Sequence, residues 1–244
     1  ILPSPDYLRY NESNMKNFNS YRNEFNKYRA TYILAGLTLG VWLSQFLANG
    51  AQAVKPINLF RFGALFGPDI IYNPTHLWRL VTPIFVHIGW EHFLLNFFTL
   101  IFIGRQIEGI FGSQRFFAIY LFSGIYGNIT SFFFEPYSLA AGASTSLFGI
   151  FSAMAMLGYL TKNPSFQVVG KQFAILILAN LVINLFQTDV GITGHIGGAL
   201  GGILLAAPFS PKLLAHKISR NKKIAFLAIF ILTAVWMVFM AFRG

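Results

Sequence analysis

Residues 139–160, "LAAGASTSLFGIFSAMAMLGYL", set three hydroxyl side chains, Ser144, Thr145 and Ser146, at the head of an otherwise apolar run. An uncharged segment of this length suits a membrane-crossing helix, which needs about 17–25 residues to cover ~30 Å of hydrocarbon. Hydroxyls in such a helix either bond back to a carbonyl of the preceding turn or take part in chemistry. For Ser144 alone the first reading is the default, so the rest of the chain must decide.

Composition sets the solvent. Hydrophobic residues make up 55% of the 244, 28 of them are Phe, only 11% are charged, and the mean hydropathy is +0.57. These are the values of an all-α membrane protein, not of a soluble domain. Uncharged windows cover 30–54, 116–134, 136–161, 172–188, 190–211 and 224–242, and a shorter one from His92 to Gly104 lengthens if Glu108 lies at the interface. Seven spans are predicted: six in a core over 30–208 and a seventh at 224–242. The polar tail 1–29 has no apolar stretch of the secretory type, so the first span is expected to double as signal anchor. With no cysteine, disulfides, thiolate metal sites and a cysteine nucleophile are excluded.

A cytoplasmic tail would place the loops near 105–115, 162–171 and 209–223 inside as well. That puts 14 of the 18 Lys and Arg in the cytoplasm and leaves Lys55, Arg61, Arg79 and Arg243 outside. The bias fits the positive-inside rule and accounts for a net charge of +10 through anionic lipid headgroups. Nucleic acid is not an expected partner, because the basic residues are spread over separate segments. Residues 50–91 are too polar and too broken by Pro and Gly to span, yet too rich in Phe, Leu and Trp for a slack linker. They read as an ordered external loop with Trp78, Trp90 and Tyr72 at the headgroup level.

Three polar clusters then fall at the outer ends of three helices. "HIGWEHFLLNFF" (87–98) sets His92 and Asn96 four residues apart on one face of the second helix. "GASTSLFG" (142–149) opens the fourth, and "GITGHIGGALGG" (191–202) puts His195 near the start of the sixth. Strongly polar groups inside membrane helices are costly and usually mark a site. Ser144 becomes a nucleophile only if a base lies within ~2.6–3.2 Å, so two helix backbones must approach closely. The spacings Gly194/Gly198, Gly197/Gly201 and Gly198/Gly202 supply one small surface. Gly142, Ala143, Gly149, Ser152, Ala153, Ala155 and Gly158 supply the other. A helix start also offers unpaired N–H groups to a developing oxyanion, here the Ser144 N–H with His92 and the Asn96 amide. Of the carboxylates only Asp189 is near His195 in sequence, so a Ser-His dyad is expected. A metal site from His87, His92 and His195 is disfavoured, since the HExxH spacing is absent, and no cofactor is expected. His76, His87 and His216 read as interfacial or solvated. A transporter is disfavoured by the lack of repeat symmetry and of carboxylates within the spans.

In this order and spacing, "HIGWEHFLLN", "AGASTSLFG" and "GHIGGALGG" resemble the three active-site segments of the rhomboid intramembrane serine proteases. "WR" at Trp78–Arg79 and "GRQIEGIFGS" around Glu108 match further recurrent features of that family. The resemblance covers roughly residues 30–208. It implies Ser144 as nucleophile, His195 as general base and acid, and His92 and Asn96 with the Ser144 amide as oxyanion hole. It also implies that Phe148 packs on the catalytic histidine, that Gly142 is the first motif glycine, and that Gly198 lies in the close helix contact. Thr145 departs from the family's glycine. Transmembrane proteins would be the substrates and a bacterial plasma membrane the setting, with the site opening outward. Helix five ("KQFAILILANLVINLF", containing Asn180 and Asn184) and "QTDVGITG" would be gate and cap. The alternative is a catalytically weak or inactive rhomboid-like protein that binds membrane clients.

Overall fold

The computed structural model describes residues 20–186 and 191–243. Its long helices are α1 (Arg29–Asn49), α2 (Gly89–Phe111), α3 (Ser113–Phe134), α4 (Ser144–Thr161), α5 (Pro164–Asn184), α6 (Ile192–Ala206) and α7 (Arg220–Ala241). Six are long and apolar enough to cross a bilayer. The remaining predicted span, the sixth, α6, has 15 residues, roughly 22 Å of helix. The protein is an integral multi-pass membrane protein, predominantly helical, with no strand among its described residues beyond one isolated β-bridge.

Two boundaries differ from the charge-free windows. Residues 136–143 are not helical, because the chain pairs with the external loop through Leu65 N–H to Ala140 C=O (2.8 Å) and Ala140 N–H to Leu65 C=O (3.0 Å). Helix α4 therefore begins at Ser144 itself. In the other direction, 164–171 belong to α5, not to an inner loop. Asn163 accepts from the Ser165 and Phe166 N–H groups (3.1 and 3.4 Å) and Pro164 occupies the first turn, a start signal that charge counting overrides. Lys162, at φ 50°, turns the chain between the two helices.

Helices α3, α4 and α6 form the centre. On α6, Gly198 and Gly202 face α4, where an added Cβ would strike the Thr145 and Gly149 carbonyls, and Ser152 Oγ donates to Ala199 C=O across the contact (2.6 Å). Its other glycines, Gly194, Gly197 and Gly201, face α3 at Ser131, Thr130 and Tyr126. The sequence reading paired α6 with α4 alone. Small residues at Ser123, Gly127, Thr130 and Ser131 carry the same three-to-four spacing on α3 and mark its share of the contact.

The external segment is ordered by burial. Short helices at Pro56–Arg61 and Gly67–Tyr72 place Leu59, Leu65 and Ile70 inside, and Asn128 of α3 donates to the Leu80 carbonyl (2.9 Å). Arg79, 5% exposed, pairs with Asp69 (2.8 Å), donates to the Phe60 and Ala64 carbonyls and stacks on Phe60. Helix α7 lies outside α3, through a Tyr126–Thr233 hydroxyl pair (2.9 Å) and Phe133 against Trp236.

Glu108 of α2, 1% exposed, accepts from the Ala30 and Thr31 N–H groups (3.0 and 2.8 Å) at the start of α1. It thus caps a helix 78 residues away in the chain, meeting two of the four donors every helix start leaves open and opposing the positive helix end. Glu108→Ala strands both donors in a buried site and is expected to cost about 2–4 kcal/mol. Glu108→Gln, with one acceptor oxygen, should cost about half as much. Thermal unfolding in a fixed detergent measures both.

Candidate active site

The start of α4 is held by a relay from α1. Gln45 exchanges two hydrogen bonds with the His87 backbone (both 3.2 Å), which fixes the segment before α2. Burial, with His92 beside it, pushes His87 down to about 3, so its ring is neutral at any working pH. Its Nδ1–H donates to the Phe85 carbonyl (3.2 Å), and its Nε2 lone pair accepts the Ala143 N–H (3.3 Å). Gly142 N–H donates to the Pro83 carbonyl (2.8 Å). His87 is therefore a buried strut at 1% exposure, not the interfacial histidine expected from sequence. His76 sits at the surface against Asp69, and His216 is exposed.

With the Gly142 and Ala143 amides occupied, the next N–H groups, of Ser144 and Thr145, precede the first helical bond, from Leu147 N–H to Ala143 C=O. They are the unpaired positive end of α4. Gly142 has φ +136°, a conformation that side chains rarely adopt, and a Cβ there would lie 2.7 Å from His92 Nε2 and 3.6 Å from Ser144 Oγ. The missing side chain leaves the space between those two groups open. The Ile88 N–H points to His92 Nδ1 (3.4 Å), which leaves the ring's Nε2–H as the free donor of a neutral His92. Asn96, one turn deeper and 4% exposed, donates one amide proton to the His92 carbonyl (2.9 Å).

His195 Nε2 stands 2.7 Å from Ser144 Oγ, although the residues are 51 apart in the chain. Phe148, one turn along α4 from Ser144, stacks on the His195 ring with centroids 4.5 Å apart and planes 6° from parallel. The histidine's other nitrogen, Nδ1, lies 2.7 Å from the Asn184 amide nitrogen, Nδ2, at the end of α5. From sequence Asn184 belongs only to the candidate gate helix; its contact with His195 depends on how α5 leans on α6, for which the sequence carries no signal.

Thr145 is seated by glycines. Its side chain packs where Gly127 of α3 and Gly194 of α6 have none, a Cβ on either falling within 2.9–3.2 Å of it. The side chain that departs from the family's glycine is accommodated between α3 and α6. Ser146 is fully buried toward Gly124 and Ile84, away from the histidines. The three hydroxyls that open α4 thus have three surroundings, and Ser144 alone of them meets a base.

A cavity of about 1010 Å³ opens over this group, lined by His92, Asn128, Glu135, Ser144, Phe186 and His195 among others. Among the described residues no set of three His, Asp or Glu converges as metal ligands would. Asp189, with residues 187–190 of the segment "QTDVGITG" read from sequence as a cap, lies outside the described residues.

Comparison with known proteins adds to this geometry that the Rhomboid domain profile matches residues 74–212. The chain belongs to the rhomboid family. It is 35% identical over 177 residues to Rhomboid protease GluP of Bacillus subtilis (strain 168), covering 72% of this chain and 34% of that protein. It is 32% identical over 158 residues to Rhomboid-like protease 3 of Toxoplasma gondii, covering 64% and 59% respectively. RHOMBOID-like protein 1 of Arabidopsis thaliana matches at 34% over 167 residues, with 66% and 41% covered. The chain thus spans only part of the length of each of these relatives. In this rhomboid the profile takes in α2 to α6, and with them His92, Asn96, Ser144, Asn184 and His195.

Proposed function

We propose that this rhomboid is a serine endopeptidase that cleaves transmembrane proteins near the outer face of a membrane. The observation that carries the reading is the 2.7 Å approach of His195 Nε2 to Ser144 Oγ at the floor of an open cavity. As a substrate carbonyl carbon bonds to Ser144 Oγ, the hydroxyl proton passes to His195 Nε2 and the carbonyl electron pair moves onto oxygen. The Ser144 N–H, the His92 Nε2–H and the second Asn96 amide proton are the donors for that oxyanion. When the scissile C–N bond breaks, the Nε2 proton goes to the leaving amine. Water then repeats the sequence on the acyl-enzyme, giving its proton to His195 and releasing a carboxylic acid. Gly142 keeps His92 and Ser144 from being separated by a side chain, Phe148 holds the imidazole plane, and Gly198 lets α6 approach.

The core over 30–208, the basic segment 209–223 and the seventh helix are the functional divisions of this proposal. The distribution of Lys and Arg supports a cytoplasmic tail and an outward-opening site; a bacterial plasma membrane is the setting we propose. The seat of Thr145 between Gly127 and Gly194 supports the protease over an inactive client-binding protein. A fluorophosphonate probe tests the reading on detergent-solubilised protein. Labelling is expected at one site and to vanish in Ser144→Ala while persisting in Ser146→Ala. No labelling, together with no cleavage of a reconstituted helix-unstable transmembrane substrate, sinks it.

A further inference from the structure

We infer that Asn184 is the residue that positions His195, accepting the proton on Nδ1 and so keeping the Nε2 lone pair on the Ser144 hydroxyl. The inference rests on the protease reading above and deepens it. Its observation is one line of atoms: Asn184 Nδ2 lies 2.7 Å from His195 Nδ1, and His195 Nε2 lies 2.7 Å from Ser144 Oγ; the inference takes the amide turned by half, with Oδ1 in the place of Nδ2.

A neutral imidazole carries one proton, and the two ring nitrogens dictate opposite chemistry. With the proton on Nε2, the ring donates to Ser144 Oγ and cannot take its proton. With the proton on Nδ1, Nε2 is the base, but the Nδ1–H then needs an acceptor in a site that is only 8% exposed at His195. Among the described residues the Asn184 amide is the group within hydrogen-bond distance of Nδ1. The two ends of an amide are exchanged by a half-turn of its side-chain torsion, and which end faces a neighbour follows from the hydrogen bonds it makes. Oδ1 toward Nδ1–H gives the competent tautomer; the NH2 end toward Nδ1 gives the idle one.

The same Oδ1 meets the ring after proton transfer, when both nitrogens donate. A carboxylate could do this and add charge stabilisation; an amide orients the ring without raising its basicity by a full charge. The groups facing His195 from the packed elements are His92 of α2, Ser144 and Phe148 of α4 and Asn184 of α5, with Glu91 and Glu135 at the cavity wall. No described carboxylate bonds to the histidine. Asn184 also ends α5, a helix with a largely exposed surface, so the bond ties the α5 terminus to the dyad.

Three variants with one probe separate the possibilities. In Asn184→Leu, similar in volume but without an acceptor, the fluorophosphonate labelling rate of Ser144 is expected to fall roughly 10²-fold, in kcat rather than KM for a cleaved substrate. In Asn184→Asp the rate should largely return, and the acidic limb of the pH–rate profile should move up by about one unit or more, because the carboxylate favours the imidazolium. A residue that merely packs would give neither the recovery nor the shift. Wild-type labelling in Asn184→Leu, or an unmoved profile in Asn184→Asp, overturns the inference and leaves the protease reading standing. If Ser144→Ala labels like the wild type, the protease reading itself falls. Nitrogen NMR on the histidine-labelled wild type, with His195 assigned by its loss in His195→Ala, tests the inference without any activity. A neutral ring protonated on Nδ1 is expected; one protonated on Nε2 overturns it.

Discussion

His195→Ala is expected to lower Ser144 labelling and substrate cleavage by ~10⁴-fold or more while leaving the fold nearly as stable as before. The rate effect follows because Ser144 Oγ then has no base: the next titratable ring, His92, is turned so that its Nδ1 faces the Ile88 N–H. Members of a nucleophile–base pair act as a unit, so losing either removes most of the chemistry. The stability effect is small for a reason read from the same place. The ring borders a cavity rather than a packed core, and its removal costs the stacking on Phe148 and the Asn184 bond, about 1–2 kcal/mol together. Ser144 and Asn184 would then face open space that water can fill. Cleavage of a reconstituted substrate and thermal unfolding, measured on one preparation, check the two halves. Residual labelling above about one part in a hundred would show that a different group accepts the serine proton.

Gly198→Leu should fail in the opposite way, taking stability and activity together. A Cβ at 198 overlaps the backbone carbonyl of Thr145, with Thr145 Cα 3.1 Å away, and backbone cannot rotate aside as a side chain can. Helices α4 and α6 must separate, which breaks the Ser152–Ala199 bond and draws His195 from Ser144. Overpacking of this kind costs about 3 kcal/mol or more when the neighbour is main chain. The control is Gly40→Leu on α1, where nothing lies within 4 Å of the added Cβ; unfolding temperature and labelling are expected to be unchanged. A tolerated Gly198→Leu would mean that the helices are not held at the separation described. The contrast also explains why a count of glycines is uninformative without their neighbours: Gly40 and Gly198 are indistinguishable as letters.

Much was legible in the chain because it is set by local chemistry. Long uncharged runs have to be buried in lipid or protein, and a polar group within one is expensive wherever the chain goes. The spans, the three polar clusters and the small-residue spacings of α6 follow from this alone, and the order of His92, Asn96, Ser144 and His195 carried the likeness to the rhomboid family. The early start of α5 was legible too, in Asn163–Pro164, but charge counting obscured it.

Other features belong to no segment by itself. Why α4 uses only part of the uncharged window 136–161 and starts at Ser144 depends on Leu65, about 75 residues earlier, pairing with Ala140 and using the backbone groups a helix would need. Whether Thr145 obstructs the helix contact depends on Gly127 and Gly194, which come from two other helices. His87 and Asn184 look like an interfacial histidine and a helix-weakening amide until packing sets one under Ala143 and the other on His195. The sequence by itself determined which groups must leave water and which of them are reactive. Tertiary structure alone decided who their neighbours are, because a hydrogen bond or an overlap of 2–3 Å is fixed by the packing of whole helices and leaves no periodicity in the chain.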